Sequence, residues 1–313
     1  MADKIATREA YGKTLAQLGQ ENENIVVLDA DLSKSTKTAD FKKVCPERFI
    51  NMGIAEANMM TVAGGLATCG KIPFASTFAM FAAGRAFEQI RNTICYPKLN
   101  VKVCATHAGI TVGEDGASHQ AIEDIALMRS IPNMTVINPS DAVETEAAIR
   151  AVAELNGPCY VRLGRLGVPV INDSPEYKFE LGKAITLREG KDATIIATGI
   201  MVDAALEAYN TLAEEGIKVN VINVHTIKPL DVDAIVKAAR ETGVVITAEE
   251  HSILGGLGSA ACEALSENCP VPVIRVGIKD VFGESGKPDE LLKAYGLTAD
   301  DIVKAVKQGM KLK

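Results

Sequence analysis

Residues 106–120 bring two histidines and two carboxylates together in a glycine-rich segment. The four ionisable side chains are His107, Glu114, Asp115 and His119. Imidazole transfers protons near neutral pH, and imidazole and carboxylate both bind hydroxyl groups well. The three glycines of the segment allow sharp turns and the close approach of a ligand. This composition predicts an active-site loop, while an ordinary turn with solvated polar residues is the alternative.

Predicted strands lead into these polar groups. Residues 99–106 form a strand-like run that ends directly at His107. Residues 25–30 form a second such run, which leads into the polar segment 29–35. Strand-like and helix-like runs alternate throughout the chain, which predicts parallel sheets with crossover helices. Because ligands bind at the carboxyl ends of parallel strands, we expect the polar groups at one edge of a sheet.

The length of 313 residues predicts two α/β domains, each with a parallel or mostly parallel sheet flanked by helices. We place a first domain at residues 1–165 and a second at residues 183–313. Residues 166–182 contain an Asn-Asp-Ser-Pro turn cluster and are predicted as the linker. In the second domain, the Glu-Glu-His segment 249–251 follows a predicted strand without an assigned catalytic role. We therefore expect the second domain to serve in assembly or as a scaffold.

The overall composition argues against several classes of function. A formal charge of −7 without a long basic run argues against nucleic-acid binding. No apolar run approaches the roughly 20 residues that span a membrane, and residues 1–5 lack a signal-peptide pattern. Seven cysteines without a Cys-x-x-Cys pair indicate reduced thiols and a cytoplasmic location. No spacing of His, Cys and Asp is typical of a metal site built by this chain alone.

Five ordered motifs resemble the transketolase family. Residues 113–120 read Gly-Glu-Asp-Gly-Ala-Ser-His-Gln, which is similar to the Gly-Glu-Asp-Gly-Pro-Thr-His-Gln signature of transketolases. Residues 53–56, Gly-Ile-Ala-Glu, resemble the segment with the glutamate that activates thiamine diphosphate. Residues 30–35, 76–81 and 129–134 match in the same order. The resemblance extends over nearly the whole chain and implies the C-terminal half of a transketolase, with its pyrimidine-binding and C-terminal domains.

The resemblance implies a thiamine diphosphate site. Glu56, at the start of a helix predicted over residues 56–68, corresponds to the carboxylate that bonds the aminopyrimidine ring. Phe78 and Phe81, expected on one helical turn, correspond to aromatics that stack on this ring. Asp31 resembles a residue at the cofactor end of the pocket. Without the resemblance, a helix-terminal carboxylate, a core aromatic pair and a turn residue are the simpler interpretations.

Two departures from the family pattern bear on this pocket. Ala55 and Ala57 flank Glu56 where transketolases commonly have an arginine and a histidine. Gly84 stands where a third aromatic residue is common, which predicts a more open pocket wall.

The resemblance also implies substrate-binding residues. Asp115 corresponds to an aspartate that recognises a hydroxyl group of the donor sugar, and His119 to a histidine near the substrate carbonyl. Four residues correspond to those that bind the substrate phosphate: Arg8, Ser35, His107 and Arg162. Arginine binds phosphate bidentately, and serine adds a neutral hydrogen bond. Arg165 is a weaker candidate without a clear counterpart.

One family element is missing from the sequence. Transketolases hold Mg²⁺ and the cofactor diphosphate with a Gly-Asp-Gly followed by an Asn, and no Gly-Asp-Gly occurs in these 313 residues. The resemblance therefore implies an N-terminal partner subunit that supplies the Mg²⁺ ligands, in a heterotetramer with two copies of each chain. Alone, the chain is expected to be inactive and to self-associate as a dimer.

The leading hypothesis is a transketolase subunit that moves a two-carbon ketol unit from a ketose phosphate to an aldose phosphate, as in the pentose phosphate pathway. Three alternatives stay open. A 1-deoxyxylulose-5-phosphate synthase-like half shares Gly-Ile-Ala-Glu, and a 2-oxoacid dehydrogenase β-subunit-like half shares the size and domains. The third is a non-catalytic interaction subunit with the same fold, against which Glu56, Asp115 and the two loop histidines argue.

Overall fold

The structure is a computed structural model that describes residues 4–313. The strands in this range are β1 (Lys4–Ala6), β2 (Ile25–Asp29), β3 (Phe49–Asn51), β4 (Ile72–Phe78), β5 (Lys102–Thr106), β6 (Thr135–Ile137), β7 (Cys159–Arg162), β8 (Gly167–Pro169), β9 (Ile185–Arg188), β10 (Ala193–Ala197), β11 (Val219–Asn223), β12 (Thr226–Lys228), β13 (Val245–Ser252) and β14 (Val273–Ile278).

The α-helices are α1 (Thr7–Glu21), α2 (Ser33–Thr36), α3 (Ala39–Val44), α4 (Glu56–Thr68), α5 (Phe87–Gln89), α6 (Asp124–Ser130), α7 (Ala142–Glu154), α8 (Met201–Glu214), α9 (Val232–Thr242), α10 (Leu257–Asn268), α11 (Pro288–Ala294) and α12 (Ala299–Gly309). Two π-helical segments, Phe81–Arg85 and Ile90–Cys95, lie between β4 and β5. None of the helices within residues 4–313 is long and apolar enough to cross a membrane.

Two mostly parallel sheets organise the chain. Seven strands form the larger sheet in the order β12-β6-β7-β5-β4-β2-β3, and only β12 runs antiparallel to its neighbour. Five strands form the smaller sheet in the order β14-β13-β10-β11-β9, with β9 antiparallel. Strands β1 and β8 form a separate antiparallel pair. This architecture confirms the predicted α/β class with two mostly parallel sheets flanked by helices.

Helices cover both faces of the larger sheet. Successive residues of a strand point to opposite sides, so each strand packs against helices on both faces. In β2, Ile25 and Val27 pack with residues of α1, α3 and α7. Val26 and Leu28 pack on the other face with residues of α4 and α6. This two-sided burial explains the uninterrupted apolar run of β2, which is typical of a central parallel strand. On the second face, the predicted helix over residues 56–68 is confirmed as α4.

The two sheets are joined by a strand and by buried ion pairs. Strand β12 follows β11 of the smaller sheet, yet it pairs with β6 of the larger one. Arg162 is 3% exposed, and its Nε donates to Asp124 Oδ2 at 2.9 Å. Its Nη2 donates to the Glu250 carbonyl at 2.9 Å, and its Nη1 lies 3.9 Å from Glu250 Oε2. Arg162 therefore links the first half of the chain to β13.

The acidic residues of β13 are structural. The prediction that residues 249–251 follow a strand is wrong, because β13 extends through them and buries all three side chains. Glu249 accepts hydrogen bonds from the backbone N–H groups of Leu257 and Gly258 at 2.7 and 2.8 Å. The carboxylate thereby caps the N-terminus of α10, where unpaired N–H groups favour an anion.

We predict that Arg162→Met lowers the free energy of unfolding by about 3–5 kcal/mol, because the buried Asp124 and Glu250 lose their compensating charge. Denaturant titration followed by far-UV circular dichroism measures the loss. Arg240→Met, at an exposed position of α9, is the matched control and should leave the unfolding midpoint nearly unchanged. Equal stability of Arg162→Met and the wild type would contradict a structural role for this arginine.

Candidate active site

Three loops, which contain short helical segments, meet at the carboxyl edge of the larger sheet. The first follows β2 and contains Asp31 and Ser35. The second follows β4 and contains Phe81, and the third follows β5 and begins at His107. Strands β2, β4 and β5 are neighbours, so their carboxyl ends lie side by side. The predicted site residues on these loops therefore share one surface.

Glu56 is the first residue of α4 and is only 1% exposed. A carboxylate at this position interacts favourably with the positive end of the helix dipole. Its Oε2 accepts a hydrogen bond from Nη1 of Arg85 at 2.7 Å. The Arg85 Cζ lies 4.5 Å from the centroid of the Phe81 ring, so the guanidinium contacts a carboxylate and an aromatic face together. Arg85 is absent from the predicted site because it lies 29 residues from Glu56 and matches no motif.

Four rings form a cluster at this edge. The Phe78 and Phe81 rings stack with their centroids 5.8 Å apart. Phe78 also stacks on His107 at 3.8 Å, and Phe81 meets His119 edge-on at 5.4 Å. The prediction that Phe78 and Phe81 share a helical turn is wrong, because Phe78 ends β4 and Phe81 begins a π-helical segment. The strand-to-helix turn still brings the two phenylalanine rings together. Through them, the residues implied to bind the cofactor contact His107 and His119, which are implied to bind the substrate.

His107 is a buried neutral imidazole. Its φ of +56° is a left-handed conformation, uncommon for a residue with a side chain and enriched at functional sites. Burial and the charges of Arg8 and Arg165 lower the pKa of His107 to about 3. Because arginine only donates, His107 Nε2 accepts from Arg8 Nη1 at 3.1 Å. The ring proton then lies on Nδ1, 2.9 Å from Thr106 Oγ1, so His107 orients Arg8 without adding a positive charge.

Arg8 connects α1 to the loop after β2. Its Nη1 also donates to the carbonyl of Ser35 at 3.0 Å. Its Nε is buried and has no hydrogen-bond partner within the described part of the chain. A buried donor that lacks an acceptor costs free energy, so the position is suited to an anion from outside the chain.

The structure places Arg162 outside the group of contacts that joins Arg8, Ser35 and His107. As the last residue of β7 it points into the ion-pair network with Asp124 and Glu250. Its predicted contact with a substrate phosphate is therefore corrected, because those two carboxyl groups already surround the buried guanidinium. The sequence position explains the error, since Arg162 ends a strand that is buried along its length.

Arg165, three residues further along and the weaker candidate in the sequence, lies close enough to Arg8 to affect its pKa. Its side chain is 38% exposed, and its Nη1 donates to the Val112 carbonyl and lies 3.4 Å from Glu114 Oε2. Burial and the charge of Arg165 lower the pKa of Arg8, as they do for His107. The arginine beyond the strand end, rather than the one inside it, therefore completes a cationic cluster with Arg8.

The remaining predicted residues lie at the rim of the site. Asp115 is exposed, and His119 is half-buried with its Nδ1 3.0 Å from Ser118 Oγ. Asp31 is exposed with φ of +65°, and it accepts a hydrogen bond from Asn51 Nδ2 at 2.8 Å. Within residues 4–313, no group of three or more His, Cys, Asp or Glu side chains is placed to hold a metal ion.

The loop of residues 106–120 is held by the second half of the chain. Gln120 Nε2 donates to the Glu284 carbonyl at 2.9 Å and to two carbonyls of its own loop. Gly109 has φ of +79°, and a Cβ there would lie 2.2 Å from the Glu250 carboxyl group. Only glycine fits this close approach. Gln120 is absent from the predicted site, although it ends the most distinctive motif of the sequence.

Two family models match the chain. They describe the transketolase pyrimidine-binding domain, over residues 3–170, and the transketolase C-terminal domain, over residues 182–302. The chain is 55% identical to a protein of Methanocaldococcus jannaschii named as a transketolase C-terminal section, over 97% of this chain and 96% of that protein. It is 48% identical to a 6-deoxy-6-sulfo-D-fructose transketolase subunit of Clostridium sp. (strain MSTE9), over 95% and 92%.

Solved structures agree with these matches. A split-gene transketolase, solved as an inactive beta4 tetramer, is 62% identical with a TM-score of 0.92, and 99% of each chain is covered. The transketolase of Campylobacter jejuni is 26% identical with a TM-score of 0.82, over 98% of this chain and 47% of that one. Among the relatives compared by sequence, mouse transketolase is 42% identical, and the chain spans 49% of its length. The chain therefore belongs to the transketolase family, of which it carries the pyrimidine-binding and C-terminal domains.

Proposed function

We propose that this chain is the C-terminal subunit of a thiamine-diphosphate-dependent transketolase and forms half of its active site. The enzyme moves a two-carbon ketol unit from a ketose phosphate to an aldose phosphate, as in the pentose phosphate pathway. The observation that carries the proposal is that a buried carboxylate, Glu56, and an aromatic face, Phe81, both contact the Arg85 guanidinium and so lie within reach of one planar group. The cationic cluster around Arg8 lies on the same edge.

Thiamine diphosphate fits the Glu56 and Phe81 pair. A pyrimidine ring needs an aromatic face to stack on and a carboxylate at the edge that carries its ring nitrogen. When bound, the cofactor supplies the carbon nucleophile that takes up the two-carbon unit. In the proposal, Glu56 holds a proton against the ring nitrogen, and Phe78 supports Phe81 by stacking on it. Asp31, at the rim, completes the proposed cofactor-binding residues.

The cationic cluster is the proposed site of the substrate phosphate. Arg8 offers the buried Nε that has no acceptor within residues 4–313, and Arg165 adds a second guanidinium. Neutral His107 orients Arg8, and Ser35 adds a hydroxyl on the adjoining loop. Guanidinium groups bind phosphate through paired charge-assisted hydrogen bonds.

The remaining two substrate residues belong to the loop of residues 106–120. His119 meets the edge of the Phe81 ring, next to the proposed cofactor position. This position supports a hydrogen bond from His119 to the substrate carbonyl, where charge develops during transfer. Asp115, exposed at the rim, is proposed to accept a hydrogen bond from a hydroxyl group of the donor sugar.

A partner subunit is proposed to hold Mg²⁺ and the cofactor diphosphate with a Gly-Asp-Gly motif. The present sequence contains no Gly-Asp-Gly, and it spans about half of mouse transketolase. Two relatives covered over most of their length are named as a C-terminal section and as a subunit, which supports a split enzyme. Two copies of each chain form the proposed heterotetramer. The chain alone is expected to self-associate without activity.

The proposal divides the chain into a pyrimidine-binding domain at residues 1–165, a linker at 166–182 and a C-terminal domain at 183–313. Within the proposed linker, β8 pairs with β1, which directly precedes α1 and Arg8. The linker therefore lies beside the start of α1. All seven cysteines are free thiols, which fits a reducing compartment. We therefore include a cytoplasmic location in the proposal.

Reconstitution tests the proposed function. The chain is mixed with a Gly-Asp-Gly partner, thiamine diphosphate, Mg²⁺, xylulose 5-phosphate and ribose 5-phosphate. We expect glyceraldehyde 3-phosphate release to require both chains and the ribose acceptor. Glu56→Gln should lower the rate by about 100-fold or more, because the variant cannot share a proton with the ring nitrogen. Glu88→Gln, at an exposed position of α5, is the control and should keep full activity.

Two outcomes would overturn this assignment. Full activity of Glu56→Gln in the reconstituted complex would remove Glu56 from the chemistry. Turnover of pyruvate in place of xylulose 5-phosphate would favour the deoxyxylulose-phosphate-synthase-like alternative.

A second prediction concerns the phosphate site. Arg165→Ala should raise KM for the sugar phosphates by about 10- to 100-fold, as expected for the loss of one charge-assisted hydrogen bond in ground and transition states alike. The kcat should change little. Arg188→Ala, at an exposed position of β9, is the control with unchanged KM. A KM for Arg165→Ala equal to that of the wild type would exclude Arg165 from the phosphate site.

A further inference from the structure

Arg85 contacts both side chains that the proposed cofactor ring would contact, Glu56 and Phe81. Its Nη1 lies 2.7 Å from Glu56 Oε2, and its Cζ lies 4.5 Å from the Phe81 ring centroid. The Glu56 side chain is 1% exposed, whereas the Arg85 side chain is 48% exposed. The guanidinium therefore lies between a buried carboxylate and solvent, with its path outward open.

A guanidinium and an aminopyrimidine make the same kinds of contact. Both are planar and stack a face on an aromatic ring, and both meet a carboxyl group in their plane. The guanidinium does so through an N–H group, and the pyrimidine through the ring nitrogen that shares a proton with the carboxyl group. Glu56 Oε2 and the Phe81 face are single, small surfaces. They cannot accept the Arg85 guanidinium and a pyrimidine ring together.

We propose that Arg85 is a placeholder for the cofactor ring: it fills the ring position until the cofactor binds and then leaves it. This inference rests on the proposed function, because it needs the ring to contact Glu56 and Phe81. Arg85 is a positioning residue, since it acts through Glu56 and takes no part in the reaction. It also explains how a buried carboxylate is compensated when no cofactor is present, because an unpaired buried charge is costly.

The local backbone is suited to such a movement. Arg85 ends the π-helical segment Phe81–Arg85, and π-helical turns occur often at functional sites. Gly84, next to it, is exposed, and the Met80 side chain lies where a Cβ of residue 84 would be, whereas the Arg85 side chain itself is 48% exposed. Arg85 can thus leave Glu56 by side-chain rotation into solvent, while Phe81 keeps its stack on Phe78.

The placeholder has a measurable consequence for cofactor affinity. Binding must break the Arg85 contacts, so part of the cofactor's binding free energy is spent on displacement. Removing Arg85 should then tighten binding, which is opposite to the loss expected for a residue that holds the cofactor or the fold. A charge-assisted hydrogen bond of this kind corresponds to a change of about tenfold in Kd.

Calorimetric titration of thiamine diphosphate, with saturating Mg²⁺, into the complex of this chain and its partner tests the inference. We expect Arg85→Ala to lower Kd about tenfold relative to the wild type. Arg85→Lys, which keeps the charge but loses the planar fork, should give an intermediate value. Arg91→Ala is the matched control, because Arg91 is an exposed arginine of the next π-helical segment and contacts Asn92. Its Kd should equal that of the wild type.

The other outcomes separate this inference from the proposed function. An unchanged or higher Kd for Arg85→Ala, in a complex whose wild type binds the cofactor, overturns the placeholder role alone. A wild-type complex that does not bind thiamine diphosphate at all overturns the proposed function and this inference with it.

Discussion

Parallel strands end at the same edge of a sheet, and this constraint decides where the polar groups of this chain can meet. The loops after β2, β4 and β5 are far apart in sequence, yet they share one surface because those strands are neighbours. They bring Ser35, Phe81 and His107 to a single site. The smaller sheet holds the loop of residues 106–120 in place. Glu250 of β13 packs against Gly109 and accepts a hydrogen bond from the Thr111 backbone N–H at 2.7 Å. The second half of the chain is thus a support for the loop of residues 106–120.

The two ends of the site differ in their electrostatics. At the proposed phosphate end, burial and the nearby Arg165 lower the pKa of Arg8, and His107 stays neutral beside it. A bound dianion would relieve this accumulation of positive charge. At the proposed cofactor end, the Glu56 carboxylate is already paired with Arg85. The first end therefore presents cationic side chains, whereas the carboxylate at the second is already paired within the chain.

Sequence patterns predict some parts of this site well and others poorly, for physical reasons. The family, the α/β class and the helix that begins at Glu56 follow from local motifs and periodicity, and they are confirmed. Arg162 is assigned from the resemblance, and the contacts that enclose it come from Asp124 and Glu250, which lie 38 and 88 residues away in the sequence. The contact of Arg85 with Glu56 joins residues 29 apart through tertiary packing, which no local pattern encodes. The difference between the sequence-based prediction and the structure is greatest where a side chain is buried by a distant part of the chain.

The central claim is that this chain holds one half of a cofactor site that a second chain completes. Equilibrium binding of thiamine diphosphate, with Mg²⁺, to the isolated chain and to its mixture with a Gly-Asp-Gly partner tests this claim most directly. The account predicts no saturable binding to the isolated chain, and saturable binding with one cofactor per pair of chains in the mixture. Stoichiometric binding to the isolated chain, with the same affinity as the mixture, would contradict it.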